Sequence, residues 1–251
     1  MPNINKFQYS KEKFKEIDKH DKYDNWPVVY MIEDGREMYI GQTIHISNRA
    51  REHYKDINRK KLNNLYVIND DEFNVSATLD IESLLIQYIS SEGKYILQNG
   101  NSGLTNHDYY DRQRYQAKFD LLWENLKSIN IVNNDIKELR NSELFKYSPY
   151  KALTDDQLEI ANTCTDIINN NPDSRIIING GPGTGKTILA TYLIKFLREN
   201  EKTKNLKIGL VVPMSSLRGS IKEVFKKVIH LTPKDVLGPV EVAKQNYDLL
   251  I

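Results

Sequence analysis

One eight-residue stretch limits this chain more than any other: Gly180-Gly181-Pro182-Gly183-Thr184-Gly185-Lys186-Thr187. It fits the spacing G-x-x-x-x-G-K-[ST]. RIIIN (175–179) precedes it and reads as a continuous apolar strand, buried in a parallel sheet. ILATYLIKFLREN (188–200) follows it and reads as a helix. Strand, glycine loop and helix in that order make a cradle for phosphate. Glycines let the backbone curl until successive N–H groups point inward. Lys186 reaches the β- and γ-phosphates, and the Thr187 hydroxyl ligates magnesium. The helix N-terminus faces the same anion. The expected cofactors are ATP and a divalent metal ion at Thr187. A functionless glycine turn, the competing reading, leaves the flanking strand and helix unexplained.

The same grammar continues on both sides. LTDDQLEIANTCTDIINN (153–170) reads as a helix with Thr154 as N-cap and Gln157 at the capping-box position. KIGLVV (207–212) reads as another buried strand and SSLRGSIKEVFKKVI (215–229) as another helix. Alternating strands and helices predict an α/β domain with a parallel sheet over 151–251. Upstream the pattern differs. VVYMI (28–32) and MYIGQT (38–43) form a hairpin across EDGRE, where Gly35 supplies the positive φ. Ser47 caps a helix running to about Asn58. NLYVIND (64–70) is a third strand, LDIESLLIQYIS (79–90) an amphipathic helix, and GKYILQNGNSG (93–103) a short extended piece. Residues 25–105 thus read as a small α+β domain. Residues 1–24 read as a helical extension and 106–150 as a helical connector and linker.

Charge decides less than it first suggests. Thirty-five Lys and Arg face 34 Asp and Glu, so any nucleic-acid signal must be local. It is local: NRAREHYKDINRKK (48–61) sets Arg49, Arg51, Lys55, Arg59, Lys60 and Lys61 against Glu52 and Asp56. Such a stripe neutralises phosphates, or is simply a solvated helix. A single cysteine, Cys164, excludes a disulfide framework and a Cys-rich zinc site. The polar start lacks a signal peptide, and no apolar run suits a membrane span. A cytoplasmic chain without a membrane partner is expected.

The stretch 143–251, with FKYSPYKALTDDQ ahead of the glycine loop, resembles a bacterial family of Schlafen-like, helicase-related P-loop ATPases. LTDDQ also resembles the adenine-reading motif of superfamily 1 helicases. That resemblance implies an adenine contact for Gln157, beside its capping role. VVPMSSLRGSI (211–221) resembles the next helicase motif, which would bring Ser215, Ser216 and Arg218 to nucleic-acid phosphates; helix cap and surface are the plainer roles. In the Schlafen-like family an acidic motif follows a segment like QNYDLLI (245–251). The chain is therefore expected to be a fragment with an incomplete P-loop domain. It would bind ATP without turning it over well and show an apolar edge near Tyr247–Ile251.

The upstream domain carries an ordered set: Val28-Val29-Tyr30, Tyr39-Ile40-Gly41, Arg49, His53, Glu82 and Asn99. It resembles the GIY-YIG endonuclease signature, departing from it at Val28 and Val29. Arg49 and His53, four residues apart, share one helix face. The resemblance implies metal-dependent phosphodiester hydrolysis. Glu82 would hold one magnesium or manganese ion, and Arg49 would fork onto the scissile phosphate. Tyr30 would be general base or water positioner, with His53 as proton acceptor, and Tyr39 would touch phosphate or water. Asn99, or Asn101, would be the terminal Asn. A tyrosine with an ordinary pKa of about 10 needs cationic help as a base. Core tyrosines and a surface Arg/His pair are the bland alternatives.

Together these readings predict an α+β GIY-YIG-like domain followed by an incomplete α/β P-loop domain. The expected activity is a metal-dependent nucleic-acid phosphodiesterase, a DNA endonuclease, coupled to an ATP-binding helicase-like module in foreign-DNA defence or repair. The alternatives are a nucleotide-controlled nucleic-acid-binding module without cleavage, and a small-molecule P-loop kinase with an accessory domain.

Overall fold

The computed structural model describes residues 2–17, 23–100, 109–171 and 173–251. They fall into two compact units, one reaching Leu139 and the other running from Arg140 to Ile251.

The first unit is built on a five-stranded sheet. Its elements are β1 (Asn3–Gln8), α1 (Lys11–Ile17), β2 (Asp24–Glu33), β3 (Glu37–His45), α2 (Ile46–His53), β4 (Asn64–Asn69), α3 (Val75–Glu92), β5 (Ile96–Leu97) and α4 (Arg112–Ser128). The sheet order is β1-β4-β2-β3-β5, antiparallel except for the β3–β5 pair. The hairpin forms as read, with Gly35 at φ +89°. Val28, Tyr30 and Ile32 alternate along β2 into one apolar cluster. Phe14 and Ile17 of α1, Ile46 and Ala50 of α2, and Leu65 and Val67 of β4 complete it. α3 starts at Asn74, whose side chain accepts from the Ala77 amide, and stops at left-handed Gly93.

Three expectations change here. The extension at 1–24 contains a strand: β1 pairs along all of β4. NINKFQ offers only Ile4 and Phe7 as apolar residues, too few for a period. The connector at 106–150 contains α4, which belongs to this unit. Phe119 and Trp123 of α4 pack on Tyr88 of α3, with ring centroids 5.5 and 5.6 Å away. The buried Trp123 indole donates to the Asn134 carbonyl. Trp26, on β2, donates to the Asp70 carbonyl. Finally, the helix from Ser47 ends at His53. The Asp56 carboxylate accepts from the Asn58 and Arg59 amides at 2.8 and 3.2 Å, folding 59–61 into a separate 3-10 turn. Ser47 caps nothing; its hydroxyl donates to the Phe14 carbonyl.

The second unit contains α6 (Glu143–Lys146), α7 (Asp155–Asn170), α8 (Lys186–Glu199), β6 (Ile208–Val211), α9 (Ser215–Phe225), β7 (Val236–Leu237), α10 (Pro239–Val242) and β8 (Leu249–Leu250); α5 (Ile136–Asn141) straddles the division. The sheet is parallel, in the order β7-β6-β8. RIIIN is not part of it. Residues 175–179 join no ladder, and Ile177 is 84% exposed. Ile176 and Ile178 line a cavity of about 830 Å³ with Cys164, Leu193 and Leu249. At the expected apolar edge Leu250 is 45% exposed, while Leu249 and Leu250 pair with β6. Cys164 is a buried core residue whose thiol pKa burial pushes up. Among the described residues, no helix is long and apolar enough to cross a membrane.

Candidate active site and nucleotide loop

The upstream set gathers around the phenol of Tyr30. β2–β3 pairing puts Tyr30 opposite Gly41. A Cβ at Gly41 would stand 2.4 Å from the Tyr30 oxygen, so the bare glycine is what lets the ring cross β3. The same register places Tyr39 beside it, with ring centroids 6.1 Å apart. α2 brings in His53, whose Nε2 is 2.7 Å from Tyr30 Oη. Arg49, one turn earlier, lies close enough to the same phenol to hold its pKa down, and pairs with Glu52 at 2.8 Å. α3 supplies Glu82, close enough to perturb the Tyr30 phenol and to feel the Arg49 charge.

Arg59 is the residue that sequence reading placed in a generic basic stripe. Its Nη1 is 2.6 Å from His53 Nδ1, and its guanidinium stacks 4.0 Å from the Tyr39 ring centroid. A guanidinium only donates, so Nδ1 must accept. The proton of neutral His53 then sits on Nε2 and is donated to Tyr30. This reverses the proton-acceptor role expected for His53. Its signal in sequence was faint: Arg59 lies six residues past His53, beyond the helix.

Burial dominates the electrostatics. It drops the His53 pKa to about 3, with Arg59 and Arg49 adding to the fall. It pushes the Tyr30 phenol far above its ordinary value; Arg49 opposes this. It raises Glu82 to about 7, again opposed by Arg49. Tyr30 and His53 are buried, whereas Tyr39 is half-buried and Arg49 is 44% exposed. Tyr39, Arg49 and Glu82 are therefore the members of the set that reach the surface.

Glu82 makes no hydrogen bond or ion pair among the described residues. No cluster of three metal-ligating side chains occurs among them either. A single desolvated carboxylate suits an ion that keeps most of its waters and takes its other ligands from a phosphate, as magnesium does. Asn99 meets the set through the backbone of β3. Its side chain is buried against β3, where Oδ1 accepts from Ile40 N at 3.0 Å and Nδ2 donates to Ile40 O at 2.8 Å. It holds the backbone between Tyr39 and Gly41. Asn101 lies outside the described residues.

In the second unit the glycine loop has the needed shape. Gly183 and Gly185 have φ of +78° and +81°, and α8 begins directly after them. Thr184 Oγ1 donates to Gly181 O at 2.9 Å. Lys186 Nζ folds back to the carbonyls of Gly180 and Gly181, both at 2.7 Å. The loop surface is open, from Gly180 through Pro182 to Thr187. Gln157 completes the capping box with Thr154, and its Nε2 also donates to Thr184 O at 2.9 Å. A Cβ at Gly185 would meet that nitrogen at 2.5 Å. Gln157 thus braces the loop as well as its own helix. Arg218 points away from the role expected of it: Nη1 donates to the Val212 carbonyl at 2.7 Å. Ser215 and Ser216 open α9 at the surface.

Comparisons with curated proteins and with solved structures each gave no match. Residues 150–248 match the family model of type III restriction enzyme, res subunit, and so form a helicase-like P-loop domain.

Proposed function

We propose that the chain is a metal-dependent nucleic-acid phosphodiesterase of GIY-YIG type, acting on DNA, joined to an ATP-binding helicase-like module. The observation that carries this reading is the Tyr30–His53 contact with Tyr39, Arg49 and Glu82 around it. The matched family model is named for a restriction enzyme subunit, and a nuclease beside such a module fits defence against foreign DNA.

Arg49 would fork onto the scissile phosphate and neutralise charge as it develops. Glu82 would hold the divalent ion, which lowers the pKa of bound water and supplies the nucleophile. Tyr30 would orient that water, its oxygen fixed by the His53 Nε2–H. In the second unit Lys186 and the backbone N–H groups of 183–187 would hold the ATP phosphates, Thr187 its magnesium, and Gln157 the loop. The Schlafen-like likeness supports the same nucleotide role.

Incubating the protein with plasmid and magnesium or manganese tests the nuclease. Cleavage should be lost in Glu82→Ala and Arg49→Ala. Equal cutting by wild type and Glu82→Ala would sink the assignment. One observation favours the alternative, a binding module without cleavage: Tyr30 has no exposed surface. Salt-sensitive DNA binding with no cutting under any metal would select it.

A further inference from the structure

α1 and the α2 end enclose a second feature that the active-site set does not use. A cleft of about 610 Å³ lies there, within the span of small-ligand sites, roughly 300–1,000 Å³. Its walls carry Lys11, Lys15, Arg51, Lys55 and Lys60, and none of its lining residues is acidic. Its apolar floor is Tyr54 with Phe14. The Tyr54 ring is fixed, edge to face, by Tyr9 and Phe14 at 5.4 and 5.7 Å. Lys11 and Lys60 lie over that ring at 5.9 and 5.7 Å.

The cleft and the phenol site share their supports. His53 turns into the Tyr30 cluster and the next residue, Tyr54, into the cleft. Arg59 turns to His53 and Tyr39, and the next residue, Lys60, into the cleft. One strand of nucleic acid passing the first site therefore has a ready path to the second.

We propose that this cleft binds the nucleic-acid strand flanking the reacting phosphate, with lysines on the backbone and one base on Tyr54. The proposal rests on the phosphodiesterase reading for its position beside a cut, but not for binding. Two charges over an aromatic face mark a surface that a base displaces without losing the cations, which move to phosphate. Stacking on an aromatic side chain tolerates any base, typically contributing about 1–3 kcal/mol. A flat ring between mobile cations is what a nucleotide unit, anion plus π-face, complements.

The test is anisotropy of the full-length protein with a labelled single-stranded oligonucleotide in EDTA, across a salt series. The Lys11→Ala/Lys55→Ala/Lys60→Ala variant should bind more weakly, with a salt slope shallower by about 0.7 per lost phosphate contact. Lys226→Ala/Lys227→Ala/Lys234→Ala, with the same charge loss elsewhere, should keep the wild-type slope. Tyr54→Leu should erase the preference for a normal over an abasic strand. Because Tyr54 also packs against the core, the lysine variants decide the matter should Tyr54→Leu not fold. Equal slopes in wild type and the cleft variant, an equal loss in the control, or no binding by wild type would each overturn the proposal. Plasmid cutting is scored separately. A cleft-dependent slope without cutting keeps the cleft and removes the nuclease; cutting with equal slopes does the reverse.

Discussion

Gly41 and Arg59 show how single residues set this site. At Gly41 the constraint is steric. Gly41→Ala puts a methyl 2.4 Å from the Tyr30 oxygen, and overpacking typically costs about 1–3 kcal/mol. A lower denaturation midpoint together with lost cleavage is expected; an unchanged midpoint would show that the ring can yield. At Arg59 the constraint is a proton's address. ¹⁵N NMR of the imidazoles should show His53 as the Nε2–H tautomer, and Arg59→Met should release it toward Nδ1–H. A His53 Nδ1–H signal in wild type would refute that assignment. Glu82 gives a pH prediction. Its folded pKa of about 7 lies above the ordinary 4.5, so the fold favours the protonated acid. That advantage is full below pH 4.5 and is lost as pH rises through 7, about 3 kcal/mol in all. Thermal melts should find Glu82→Gln more stable than wild type at pH 8 and level with it at pH 4. His53 runs the other way: buried neutral, it withdraws stability as pH falls from 6.5 toward 3. The resemblance to the GIY-YIG signature brought Tyr30, Tyr39, Arg49, His53 and Glu82 together. Arg59 escaped because its contact depends on a turn that Asp56 folds, not on any helical period.

Among elements, β3 depends on an imitation strand. β5 ends at Leu97, and the Asn99 amide supplies the next two ladder bonds to Ile40. Asn99→Ala leaves a buried N–H and C=O unpaired, a loss of about 2–4 kcal/mol that urea unfolding would measure. Cleavage should fall with it, since Tyr39 and Gly41 flank Ile40. A side chain standing in for a strand has no sequence signature beyond the asparagine itself. The hairpin, β4, α3, α7 and α8 were readable because each carries a period and a cap or turn residue. RIIIN shows the limit of that reading. Three consecutive isoleucines mark a preference for burial in a ladder but name no partner, and the partner decides whether a strand forms.

Across the whole molecule, balanced charge conceals opposite local signs: a basic cleft in a chain of net charge +1. The two units also carry separable chemistry. Lys186→Ala removes a charged donor from the ATP phosphates. Calorimetry should find ATP binding weaker by about 1.5–3 kcal/mol, roughly ten- to a hundredfold. Glu82→Ala should leave that affinity unchanged, and parity between Lys186→Ala and wild type would dismiss the loop assignment. The change in strand–helix grammar set an expected linker at 106–150, and α4 shows that a polar surface disguises which unit owns a helix. The placement of two indoles has a practical corollary. Trp26 and Trp123, the chain's two tryptophans, both belong to the first unit. Intrinsic tryptophan emission is therefore a private channel to that unit, while far-ultraviolet circular dichroism sums over both. Denaturation curves followed by the two signals will superimpose only if the units unfold as one, and their separation would read out each unit's stability without cutting the chain.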